Sequence, residues 1–102
     1  MVRIGPDVAL TVSDREAAAK FYVEVMGFTR MRENEDWIHI KNGEANWYLC
    51  QDKDESPMFC FSTDDVPGTV ERVVKAGGRV LSTNATETHV QDAFGVNYCI
   101  ES

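Results

Sequence analysis

The chain has little with which to hold phosphate, cross a bilayer or staple itself covalently. Lys and Arg number 10 against 17 Asp and Glu, a formal net charge of −7. Nucleic-acid binding needs a basic surface, so this balance argues against nucleic acid as a partner and favours a cationic ligand. No apolar run is long enough to span a membrane, and no basic stretch followed by an apolar one opens the chain. No membrane partner and a cytoplasmic location are therefore expected. The cysteines number 3, an odd count without close pairing motifs, which argues against a disulfide framework. There is no nucleophilic Ser motif, Gly-rich phosphate loop or CxxC, and no low-complexity segment. What remains is 102 residues, 43% of them hydrophobic, enough for one globular domain.

The segment from Asp7 to Phe28 sets the pattern. Val8, Leu10 and Val12 alternate with Asp7, Ala9 and Thr11, the period of a strand with one buried face. Ser13 stands three residues before Glu16, which reads as a capping box. Ala18, Phe21, Tyr22 and Val25 share a helical face, and Gly27 stops the helix. Met1 to Pro6 reads as a lead-in.

The pattern recurs from Met58 to Arg79, about 51 residues on. Phe59, Phe61 and Thr63 take the places of Val8, Leu10 and Val12. Asp65 is the expected N-cap, and Pro67 suits the first turn, where a missing amide costs nothing. Val66, Val70, Val73 and Val74 make the apolar face, and Gly77-Gly78 ends it. Gln51 to Pro57 is a charged linker. Each half reads β-α-β-β-β, giving module 1 at about residues 1–52 and module 2 at about residues 57–102.

Between Trp37 to Lys41 and Glu44 to Cys50 lies Asn42-Gly43, a pair suited to a two-residue primed turn. That turn predicts Lys41 opposite Glu44, His39 opposite Asn46 and Trp37 opposite Tyr48. Ile38, Ile40, Ala45, Trp47 and Leu49 then face a helix. Trp37, His39, Asn46, Tyr48 and Cys50 face the other way, and aromatic rings with a few polar groups suit a ligand pocket or a wet dimer interface. Phe28 to Arg32, Arg79 to Ser82, Thr86 to Gln91 and Val96 to Glu101 are the remaining expected strands, the last two joined at Asp92-Ala93-Phe94-Gly95.

Strand, capped helix, Phe21-Tyr22, Met26-Gly27-Phe28 and a closing Asp-x-x-Gly turn before a final strand together resemble the vicinal oxygen chelate superfamily. This is the glyoxalase, bleomycin-resistance and extradiol-dioxygenase group. The resemblance implies an α+β fold: two βαβββ modules whose curled mixed sheet surrounds a central cavity, paired in a homodimer. Whether modules pair within a chain or are exchanged between chains stays open. The resemblance also implies four ion-ligand positions, and in this sequence they hold Asp7, Tyr48, Met58 and Cys99. One carboxylate beside a phenol, a thioether and a thiol is a poor set for the ions such enzymes use. No metal and no cofactor are therefore expected.

The sequence thus points to a small-molecule ligand held without metal. Trp37 and Tyr48 would stack on it or hold its cation, while His39 and Asn46 orient it. Met58, Cys60, Asn97 and Cys99 would line the wall, and Asp7 and Glu101 would supply negative charge. His39 could act as a general base or simply be hydrogen-bonded beside Asn46. His89 is expected on an exposed strand. Cys50, Cys60 and Cys99 read as small apolar wall residues, with a soft-metal site as the alternative. The competing class is a metal-dependent lyase, isomerase or dioxygenase with an altered ion site. A filled cavity, with only the dimer mattering, is a third option.

Overall fold

A computed structural model describes residues 2–51 and 57–102, so most of the expected linker lies outside the described residues. The fold is mixed α+β and divides into two compact units, Pro6–Pro57 and Met58–Ser102, the latter joined by the residues through Gly5. The first half runs β1 (Arg3–Thr11), α1 (Arg15–Glu24), β2 (Thr29–Glu33), β3 (Trp37–Asn42) and β4 (Ala45–Cys50). The second runs β5 (Met58–Ser62), α2 (Val66–Lys75), β6 (Arg79–Thr83), β7 (Glu87–Gln91) and β8 (Asn97–Glu101). Each is a βαβββ module. In the first, β1 runs parallel to β4, and β4 and β2 flank β3 antiparallel. In the second, β5, β8, β7 and β6 pair in the same way. The expected lead-in is instead strand from Arg3 onward. Its Gly5 lies so close to β5 that an added Cβ would meet the Cys60 carbonyl at 3.4 Å.

The repeat extends to details that side-chain pattern did not disclose. Asn34 Oδ1 accepts from the amides of Asp36 and Trp37, and Asn84 Oδ1 accepts from those of Thr86 and Glu87. Each Asn closes the turn into the third strand of its module, where a side-chain carbonyl substitutes for a backbone acceptor. The ladder register also slips at matching places, between Arg30 and Arg32 in β2 and between Val80 and Ser82 in β6.

Helix α1 begins one residue later than the capping box requires. Asp14 is the N-cap: its backbone is extended and its carboxylate accepts from the Ala17 amide at 3.1 Å. A carboxylate there also meets the positive end of the helix dipole, an advantage Ser13 lacks. Glu16 does not reach back but holds both Arg30 nitrogens, at 3.0 and 3.1 Å. The buried face is Ala18, Ala19 and Tyr22 rather than one including Phe21 and Val25, which are exposed. Two alanines let the helix approach β3 and β4, where Ala19 packs with Ile38, Ile40 and Leu49. Trp47 joins from the same face and meets Tyr22 and Phe28 ring to ring.

Helix α2 is capped as expected, Asp65 accepting from Gly68 N at 3.0 Å, with Pro67 in its first turn. Its most buried residue is Thr69, whose hydroxyl bonds that of buried Thr63. Val66, Val70 and Val73 are half-buried, and Val74 is exposed.

The β3–β4 hairpin turns at Gly43-Glu44, not at Asn42-Gly43. Asn42 pairs with Ala45, Ile40 with Trp47, His39 with Tyr48 and Trp37 with Cys50. Gly43 has φ +58, and no described non-glycine residue has positive φ. A turn needing positive φ only at its first central position places Gly43 there and spares Asn42. The slip moves each partner by two residues, so both faces keep their expected members.

Candidate functional site

Away from the helices, each sheet presents a second face. In the first unit β1 contributes Asp7, β3 contributes Trp37 and His39, and β4 contributes Asn46, Tyr48 and Cys50. Asp7 lies beside Asn46 in the β1–β4 ladder, and His39 lies opposite Tyr48. The His39 and Tyr48 rings stack with centroids 4.6 Å apart and planes within 12°. Trp37 meets Tyr48 edge-on at 5.0 Å. His39 is buried, and its Nε2 lies 2.8 Å from Asn46 Oδ1. An amide oxygen only accepts, so Nε2 donates to it and, in the neutral ring, Nδ1 is left as the acceptor. Nδ1 is buried and has no hydrogen-bond partner among the described residues. The expected partnership of His39 with Asn46 is thus present, although the two are diagonal rather than opposed.

In the second unit β5 contributes Met58 and Cys60, and β8 contributes Asn97, Cys99 and Glu101. Met58 pairs with Asn97, Cys60 with Cys99, and Cys99 with His89 of β7. Asn97 Oδ1 is a buried acceptor without a partner among the described residues. Cys99 is buried, but it is more than apolar wall: its thiol lies 2.7 Å from Glu87 Oε2. The hydrogen bond with Cys60, burial and the Glu87 charge all push the Cys99 thiol well above the ordinary thiol range. Burial alone would raise the Glu87 carboxyl. Hydrogen bonds from Cys99, Asn84 and His89, with the positive charge of His89, outweigh it and hold the group below its usual value.

His89 is not on an exposed strand. It is half-buried, with Nε2 3.3 Å from Glu87 Oε1. Strand β7 lies between β6 and β8, and alternation turns Thr88 and Val90 towards α2, leaving Glu87 and His89 on the Cys99 face. Sequence reasoning set His89 aside as exposed and did not single out Glu87. The signal available was Glu87-x-His89 two apart on a strand that pairs with the one bearing Cys99.

On the helix side of the second unit lies a cleft of about 420 Å³, lined mainly by Phe61, Val73, Tyr98 and Ile100, with Arg72 and Asp92 at hand. The Tyr98 hydroxyl donates to Asp92, whose carboxylate also accepts from the amides of Phe94 and Val96 in the closing turn.

The family model of the glyoxalase-like domain matches residues 7–101. The chain belongs to that family. The glyoxalase-like fold is shared with a glyoxalase/bleomycin resistance protein/dioxygenase superfamily member from Vibrio splendidus 12B01, at 17% identity and TM-score 0.67, each chain covered in full. A Streptomyces coelicolor methylmalonyl-CoA epimerase variant in complex with 2-nitronate-propionyl-CoA is similar at 18% identity and TM-score 0.70, over 98% of this chain and 97% of that one. The Mn(II)-bound glyoxalase from Novosphingobium aromaticivorans is similar at 19% identity and TM-score 0.76 over all of this chain and 40% of that one. No curated protein sequence matches. The family match, with these likenesses of fold, places the chain in the vicinal oxygen chelate superfamily, as its motifs implied.

The residues at the four superfamily ion positions do not fit an ion of the usual kind. The Tyr48 ring is committed to His39 and Trp37. Met58 is a buried thioether and Cys99 a buried thiol, both soft donors. The set therefore pairs two oxygen donors, the Asp7 carboxylate and the Tyr48 phenol, with two soft sulfurs.

Proposed function

We propose that this glyoxalase-like protein binds a small, flat or cationic organic molecule without the superfamily's usual ion, in the manner of drug-sequestering relatives. The observation that carries the reading is the His39 assembly. Stacking on Tyr48 and the bond to Asn46 fix one tautomer, and the buried Nδ1 is left as an acceptor for a ligand N–H. Trp37 and Tyr48 supply ring surface, and Asp7 supplies negative charge. The net charge of −7 draws a cation toward the site. The working form is a cytoplasmic homodimer, which light scattering would report as twice the 11.5 kDa chain mass.

The test is a thermal-shift screen of metabolites and antibiotics run with chelator present. At least one compound should raise the melting temperature of the wild type and leave Trp37→Ala unmoved. Equal shifts in both proteins would remove the site assignment.

A second reading, a metal-dependent lyase, isomerase or dioxygenase, is favoured by the likeness to a Mn(II)-bound glyoxalase. It requires ligand binding that disappears with chelator and in Asp7→Asn.

A further inference from the structure

We infer that Glu87, His89 and Cys99 form a site for one borderline-soft divalent cation of the Zn²⁺ class, held within the second module and separate from the superfamily ion positions except at Cys99. One nitrogen, one sulfur and one carboxylate oxygen from these residues lie within 4.8 Å of one another. Glu87 Oε2 lies 2.7 Å from the Cys99 thiol and Glu87 Oε1 lies 3.3 Å from His89 Nε2, so the two oxygens of one carboxylate each face one of the other donors. Tetrahedral coordination at ordinary Zn–S, Zn–N and Zn–O lengths needs donor separations of roughly 3.4–3.6 Å. Seating an ion therefore asks side chains to part by about an ångström, with no change of strand register.

The backbone makes the set firm. Glu87 and His89 are two apart on β7 and share a face, and His89 is the ladder partner of Cys99 on β8. All three stand on paired strands, which hold donor geometry better than loops do. Cys60 sits across the β5–β8 ladder from Cys99 and is hydrogen-bonded to it as a free thiol, so a second sulfur stands beside the first. Asn84 supports the Glu87 carboxylate from outside. Mixed sulfur, imidazole and carboxylate donors select Zn²⁺ or Co²⁺ over Mg²⁺ or Ca²⁺. The matching places in the first module hold Trp37, His39 and Tyr48, which lack the thiolate and the carboxylate. The inference thus predicts one ion per chain.

The test is titration of the full chain, first stripped with chelator, with Co²⁺ alone. Wild type should develop the near-ultraviolet thiolate-to-cobalt absorption at one equivalent, and Zn²⁺ should displace it. Cys99→Ser should lose the band. Glu87→Gln and His89→Gln should each weaken Co²⁺ binding by more than the roughly 10–100-fold that loss of an outer-shell partner costs. Asp7→Asn should titrate as wild type, which separates this site from the superfamily positions. Circular dichroism checks the fold of each variant, and the wild-type titration decides the matter even if a variant fails to fold. No band in wild type, or a band that survives in folded Cys99→Ser, would overturn the inference.

Discussion

Tyr98 donates its hydroxyl proton to Asp92, and the pair titrates in opposite directions. Burial first, and then the Asp92 hydrogen bond and charge, push the Tyr98 phenol from 10.0 up to about 12. A group raised on folding contributes its stability fully below its unfolded value and loses it as pH climbs through the folded one. Wild type should therefore shed stability between about pH 10 and pH 12, and Tyr98→Phe should lack that alkaline component in denaturant melts taken across the range. Asp92 is held low, chiefly by Tyr98, so its share is lost only on acidification below the usual carboxylate range. The helix cap offers a second test at the scale of the residue. Asp14→Ala should cost about 1 kcal/mol in urea unfolding and Ser13→Ala close to nothing. The sequence pointed to Ser13, through its spacing from Glu16. Only backbone geometry decides between Ser13 and Asp14, because one step along the chain exchanges their roles. Burial of Glu87 and His89 was harder still to read, since it depends on which strand lies outside β7.

Among the elements, the β3–β4 hairpin is the instructive one. Its two faces were legible from alternation alone: Ile38, Ile40 and Leu49 are buried against α1, and Trp37, His39 and Tyr48 meet on the opposite side. The register was not legible, because Asn42-Gly43 and Gly43-Glu44 both make short turns and both preserve the faces. Gly43→Ala should cost about 1–2 kcal/mol, since φ +58 strains any residue with a Cβ. Asn42→Ala should cost far less, the reverse of what a turn centred on Asn42 requires. Ile40 is wholly buried in the cluster that ties β3 to α1, so Ile40→Ala should cost about 2–5 kcal/mol by the same unfolding measurement. Helix α1 was legible in position but not in rotation: alanines, rather than Phe21 and Val25, decide which of its sides can come close to a sheet.

At the scale of the whole molecule, one βαβββ plan is used twice and furnished differently. Matching Asn-closed turns, matching register slips and a histidine at the same ladder position mark the two halves as copies. The first copy surrounds its histidine with rings and an amide; the second surrounds its own with a carboxylate and a thiol. The superfamily was readable from punctuation and the Phe21-Tyr22 and Gly27-Phe28 pairs. Binding chemistry was readable only in part, because it depends on side chains brought together by strand pairing. The most direct test of the account is tryptophan fluorescence of chelator-treated protein titrated with a panel of small aromatic cations. The account predicts a saturable change for at least one panel member in wild type, undiminished by chelator and absent in Trp37→Ala. A panel without effect on wild type, or a response that Trp37→Ala retains, would contradict it.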